Sequence, residues 1–166
     1  MYTLESAQLK DIEICCNIIN DGKEFQRKQG FVQWTDDYPS PNTIQTDIQD
    51  KKGYVIKAED KIVGYMCIDF EGEPAYAHIK GEWRSNLPYA VIHRMAFSKD
   101  FIGVGLTDVA FKLIDELCIK HNIRNIRADT DFLNERMQHI LKKNGFINCG
   151  EIIFQGSEKL AYDKLL

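Results

Sequence analysis

Gly103 and Gly105 stand one residue apart in the stretch FSKDFIGVGLTDVAF, residues 97–111, between an apolar run and a helical pattern. A strand that ends in a glycine-bearing turn and feeds a helix aims several backbone N–H groups at one point. The first four N–H groups of a helix have no internal partner, and the helix dipole adds about half a positive charge there. Such a turn binds anions, phosphates above all, and glycine allows both close approach and positive φ. The same two glycines can also serve only to make the turn. Two standard phosphate loops are excluded: no G-K-[ST] follows, and the place of a third Rossmann glycine holds Asp108,.

Other chemistry-bearing residues are dispersed. His78, His93, His121 and His139 are scattered, so no metal site is predicted,. The five cysteines, Cys15, Cys16, Cys67, Cys118 and Cys149, are odd in number and lack C-x-x-C spacing, which reads as reduced and mostly buried thiols,. With 21 Lys and Arg against 25 Asp and Glu, the net charge is −4. That balance gives no field for a nucleic-acid backbone. No stretch has the length of a transmembrane helix and the amino terminus has no apolar leader, so a cytoplasmic protein without a membrane partner is expected.

The elements that position the glycines follow from periodicity. Residues 2–8 read as a strand. A helix begins at residue 9 and ends near Asn20-Asp21-Gly22 or continues past it. Residues 33–43 read as a loop and 43–52 as a short helix,. Residues 53–73 form a hairpin turning at Glu59-Asp60-Lys61, and 74–87 are ambiguous. Residues 89–98, apolar on both parities, read as a central strand buried on both faces. After the glycines, Leu106, Val109, Ala110, Leu113, Ile114, Leu117 and Cys118 fall at i, i+3, i+4, i+7, i+8, i+11 and i+12, the pattern of an amphipathic helix,. A strand over 122–130, a helix over 132–145 stopped by Gly145, and closing strands over 146–153 and 159–166 complete one domain spanning residues 1–166. The fold class is α/β: a mixed sheet, because it contains hairpins, with helices on its faces.

Two blocks carry a resemblance. Asp100-Phe101-Ile102-Gly103-Val104-Gly105 resembles the R/Q-x-x-G-x-G/A signature of the GNAT superfamily of N-acetyltransferases. Asn134 to Phe146 (NERMQHILKKNGF) is similar to that family's second block, N-x-x-(A/M)-x-x-L-Y-x-K-x-G-F. The resemblance implies a mostly antiparallel central sheet and acetyl-CoA as acetyl donor. The pyrophosphate would lie on the N–H groups of Ile102, Gly103, Val104, Gly105, Leu106 and Thr107. The pantetheine arm would run beside the strand at Met95 and Phe97, and Asn134 would sit near the cofactor. Two departures stand out. The position of the signature's Arg or Gln holds Asp100, with Lys99 the only nearby cation. Leu141 holds the place of the family's usual acid, a tyrosine four residues before Gly145.

Acetyl transfer needs a neutral amine and a group to take its proton. Asp129, at a strand end near where the two central strands would part, is the predicted base; Asp131 is the expected helix N-cap. Tyr162 and Cys149 are stand-ins for the missing acid, and the thiolate can also leave unassisted. On the acceptor side, Trp34, Tyr38, Tyr76 and Trp83 are candidates for an aromatic lining. Asp36, Asp37 and Glu82 can anchor a cationic amine, and His93 can face the acceptor or serve as a structural histidine. The expected function is transfer of an acetyl group to a primary amine of a small molecule. A protein or peptide amine, and a non-catalytic acyl-CoA-binding domain, are the rivals. A homodimer is the expected assembly if the chain self-associates.

Overall fold

In the computed structural model, which describes residues 1–166, the strongest helical pattern becomes α3, Leu106–Lys120. Asn122 ends it in the left-handed region at φ 58. The Asn122 N–H donates to the Ile119 carbonyl and the Ile123 N–H to the Cys118 carbonyl, a Schellman stop,. Those residues are why β6, Asn125–Thr130, starts later than expected. The same device closes α4, Glu135–Lys143. Gly145 sits at φ 92, and the Phe146 N–H reaches the Leu141 carbonyl. The expected stop at Gly145 is therefore observed.

The chain divides into two compact units, residues 1–68 with 94–113 and residues 69–93 with 114–166. The first holds β1 (Tyr2–Ser6), α1 (Ile12–Lys28), α2 (Pro41–Gln49), β2 (Gly53–Ala58), nearly all of β3 (Lys61–Asp69), and the second half of β5 (Ala90–Phe97). β1 and β2 are antiparallel with Leu4 opposite Ile56, and β2 turns into β3 through Glu59 at φ 55. Cys15, Ile18 and Ile19 of α1 pack with Ile44, Val55, Tyr65 and Trp34 in this unit's core. Helix α1 runs straight through Asn20-Asp21-Gly22. A Cβ on Gly22 would lie 2.9 Å from the Trp34 ring, so this glycine makes room for an aromatic ring inside a helix. Residues 41 and 42, read as loop from the local Ser and Pro content, are the start of α2, with Ser40 as its N-cap. Ser40 Oγ accepts from the Thr43 N–H at 3.2 Å, Thr43 Oγ1 accepts from the Ser40 N–H at 3.1 Å, and Pro41 opens the first turn,.

The second unit holds the first half of β5, β6, α4, β7 (Ile147–Phe154) and β8 (Ser157–Leu165). β5 and β6 run parallel, Ala90 beside Ile126 and Val91 beside Arg127. β8 is antiparallel to both β6 and β7. The β7–β8 turn puts Gln155 at φ 53 and Gly156 at φ 79, a type I′ pair,. The ambiguous stretch resolves into a 3₁₀ turn, Pro74–His78, and a two-residue strand β4, Lys80–Gly81, paired with β7. The eight strands make a mixed, mostly antiparallel sheet with four helices.

Gly81 faces Gly150 across the β4–β7 pair, both at φ 139. A Cβ on Gly150 would lie 2.2 Å from the Lys80 carbonyl oxygen, and one on Gly81 would lie 2.2 Å from that of Cys149. Neither backbone oxygen can swing aside as a side chain would. Gly150→Ala is expected to destabilise the protein by at least about 1–3 kcal/mol, the cost of the backbone conformation alone. A urea unfolding curve with an unchanged midpoint would contradict this close approach.

Candidate active site

The glycine turn lies entirely in the first unit. The Ser98 N–H donates to the Val63 carbonyl at 2.9 Å, and the Lys99 N–H to Asp21 Oδ2 at 3.0 Å. A 3₁₀ turn over Lys99–Phe101 follows, closed by Phe101 N–H to the Ser98 carbonyl. Gly103 and Gly105 then take φ 81 and 82, where any other residue is strained,. A Cβ on either would meet no protein atom within 4 Å, so protein packing does not demand these glycines. Val109 N–H closes the first helical turn on the Gly105 carbonyl. The N–H groups of Leu106 and Thr107 therefore head α3 with no partner inside the helix. This bare, exposed backbone at a helix N-terminus fits a pyrophosphate. Before the turn, Phe97 lays its ring over Gly64, where a Cβ would lie 2.9 Å from Phe97 Cδ1. Its side chain is fixed against β3, and Met95 beside it is half-buried.

In the second unit, Asp129 on β6 accepts a 2.7 Å hydrogen bond from the Tyr76 hydroxyl at Oδ2. Tyr76 is fully buried, and its carbonyl accepts from Trp83 Nε1 at 2.9 Å. Burial pushes the Asp129 carboxyl above the usual carboxylate range, while the Tyr76 hydrogen bond and the Lys159 charge draw it back,. Burial and the neighbouring Asp129 charge push the Tyr76 phenol well up, so it stays a donor. Two residues before Asp129, on the same face of the strand, Arg127 lies between the rings of Trp83 at 4.2 Å and Tyr89 at 3.9 Å. Its Nη2 donates to the Ser85 carbonyl at 2.7 Å. Arg84 donates from its backbone N–H and from Nε to Asp163, at 3.0 and 2.6 Å. Two arginines thus pin the segment that carries Trp83.

A model of the acetyltransferase (GNAT) family matches residues 15–146. Over that span the match takes in both the glycine turn and the Tyr76–Asp129 pair. The chain belongs to the GNAT family of acetyltransferases. A GNAT-family acetyltransferase from Streptococcus agalactiae is 31% identical, with 99% of this chain and 95% of that chain covered and a TM-score of 0.89. A GNAT-family acetyltransferase from Listeria monocytogenes shares the fold at 19% identity, with 99% and 95% covered and a TM-score of 0.78. So does an aminoglycoside acetyltransferase in complex with coenzyme A, at 16% identity, 99% and 95% covered, and a TM-score of 0.68. Among curated proteins the sequence has no match. Membership of this family makes it an acetyl-CoA-dependent N-acetyltransferase. No helix is long and apolar enough to cross a membrane.

The other candidate residues of this GNAT enzyme land in varied settings. Trp34 is buried in the first unit's core, against Gly22 and Ala96. His93 stacks on Phe154 at 5.4 Å. Asn134, and not Asp131, is the N-cap of α4: its Oδ1 accepts the Met137 N–H at 3.0 Å, leaving the amide nitrogen as the donor the cap does not use. Asp131 instead folds an Asx turn onto the Leu133 N–H and pairs with Lys159 at 3.3 Å. Helix α4 starts at Glu135 for this reason, three residues later than expected. Leu141 is 1% exposed and Tyr162 is fully buried. Burial pushes the Cys149 thiol up to about 11, which keeps it protonated. Asp36 pairs with Arg27. Sequence reasoning missed Tyr89, Arg127 and Arg94. The last had a signal, a guanidinium inside the otherwise apolar run AVIHRMAF.

Proposed function

We propose that this GNAT domain, residues 1–166, acetylates a primary amine of a small molecule in the cytoplasm. In this proposal the acetyl-CoA pyrophosphate is held by the N–H groups of residues 102–107. The pantetheine arm pairs with the backbone at Met95 and Phe97, and Asn134 offers its amide nitrogen. Acetyl-CoA supplies the activated acetyl group as a thioester. Asp129 takes the proton from the amine. Trp83, Tyr76 and Tyr89, with the Arg127 guanidinium between two of these rings, give the base a setting in which a neutral amine is favoured over an ammonium ion,. His93 belongs to the acceptor side, whereas Trp34, packed into the first unit's core, does not.

The observation that carries this reading is the Tyr76–Asp129 pair: a carboxylate half-buried at a strand end, oriented by a phenol, with its pKa raised by desolvation,. A carboxylate so enclosed suits a small acceptor better than a lysine on a folded protein. The test is thiol release from acetyl-CoA across a panel of polyamines, amino acids, aminoglycosides and lysine peptides. Turnover is expected with a small amine. Turnover with the peptides alone would overturn the small-molecule assignment.

A further inference from the structure

Breaking a thioester leaves a thiolate that must gain a proton, and this chain's phenols differ sharply in what their O–H groups do. Tyr65 donates to Asp47 at 2.7 Å, and Tyr76 donates to Asp129 at the same distance. Tyr89 is bound to the Glu73 backbone. Tyr162 is wholly buried, its hydroxyl unpartnered but sealed from solvent, and Tyr54 is nearly so. Tyr2 lies on β1, the edge strand of the sheet, which pairs with β2. Tyr38 is different. It is half-buried, and its oxygen accepts a 2.8 Å hydrogen bond from Arg94 Nη1 while its own proton goes to no protein acceptor.

Arg94 itself is fixed with care. It interrupts the extended run of β5 at φ 52, an uncommon conformation for a non-glycine residue,. Its Nε and Nη2 clasp Asp47 at 2.9 and 2.6 Å, a bidentate pair that Tyr65 supports from the other side,. Nη1 is then left for Tyr38. The next residue is Met95. If the pantetheine arm runs from the glycine turn back along β5, past Phe97 and then Met95, its sulfur end arrives at Arg94.

We propose that Tyr38 is the proton donor to the departing sulfur, with Arg94 as its positioning residue; this rests on the placement of the pantetheine arm given above. As the C–S bond breaks, its electron pair goes to sulfur and the Tyr38 Oη proton follows. The phenolate left behind keeps the hydrogen bond from Arg94 Nη1 and regains a proton from water. The amine loses one proton and the sulfur gains one, so the exchange balances.

The experiment compares coenzyme A with desulfo-coenzyme A by calorimetry, in the wild type and in Tyr38→Phe. A phenol that donates to sulfur predicts that Tyr38→Phe weakens coenzyme A about fivefold and leaves desulfo-coenzyme A unchanged. The same variant should lower kcat about 10²-fold, with the KM for the amine near wild type. Equal effects on both ligands, or on neither, would overturn the assignment, as would an unchanged kcat. Gly105→Asp separates the two readings. If it binds coenzyme A as the wild type does, the placement of the arm fails. If its binding collapses while Tyr38→Phe treats both ligands alike, only the role of Tyr38 fails.

Discussion

Asp129→Asn should lower kcat by about 10²–10⁴-fold, the usual contribution of a general base, and leave affinity for coenzyme A near wild type. The asparagine keeps the shape and can still accept the Tyr76 hydrogen bond, so the second unit's packing is preserved. What is lost is the ability to take a proton. The pH dependence sharpens the test. A base must be ionised to work, so wild-type kcat should climb as pH rises through the Asp129 pKa. That limb should lie above the ordinary carboxylate range because burial raises it. Stability runs the other way: a raised pKa means the folded state holds this proton more tightly than the unfolded chain does. The stabilisation from the protonated form is present at low pH and lost as pH rises through the folded value. The neutral asparagine removes that loss, so the variant should be no less stable at neutral pH. A variant with wild-type kcat, or one whose acid limb persists unchanged, would take Asp129 out of the chemistry.

Gly105→Asp should reduce coenzyme A affinity by about 10²-fold or more. The new carboxylate would stand beside the pyrophosphate, and like charges about 4 Å apart repel by several kcal/mol even at an effective dielectric of about 20. Lys99 is not, as the sequence suggested, the only cation at the turn, because Lys61 Nζ lies 5.7 Å from the centre of the Phe101 ring. Asp100, however, stands beside Lys99 in the opening 3₁₀ turn. A Cβ at position 105 meets no protein atom within 4 Å, but φ 82 strains any side chain there,. Gly105→Ala, which carries the strain without the charge, is therefore the reference and should lose far less affinity. Calorimetry on a variant with wild-type circular dichroism decides the matter, and retained affinity would move the pyrophosphate elsewhere.

How much of this was legible in the sequence depended on the range of the interaction. Helix α3 was readable because seven apolar residues repeat along one face, and Gly145 announced the end of α4 by a local backbone need. Gly22 read as a turn signal because its actual partner, the Trp34 ring, is twelve residues away and invisible to periodicity. Asn122 ended a helix in place of a glycine and shifted the next strand. The two-residue β4 is too short for any pattern to reveal. The glycine turn was legible for the same local reason as Gly145. Asp129 could be nominated from its place at a strand end, but Tyr76, which orients it, lies 53 residues away. Arg94 and Asp47 are 47 residues apart, and neither position alone hints at the other.

The stretch between α1 and α2 carries no regular structure, yet it is held at several points. Lys23 Nζ reaches the Pro39 carbonyl at 2.8 Å, Gln26 Oε1 accepts the Trp34 N–H at 3.0 Å, Arg27 pairs with Asp36, and Arg94 holds Tyr38. Its conformational entropy is surrendered once, when the chain folds. A molecule that binds against it later has little left to order, so affinity there reflects fit to a standing surface and association need not wait for a rearrangement. New acceptor preferences should then arise through exchanged side chains on this stretch. Changes in its length would break several ties at once.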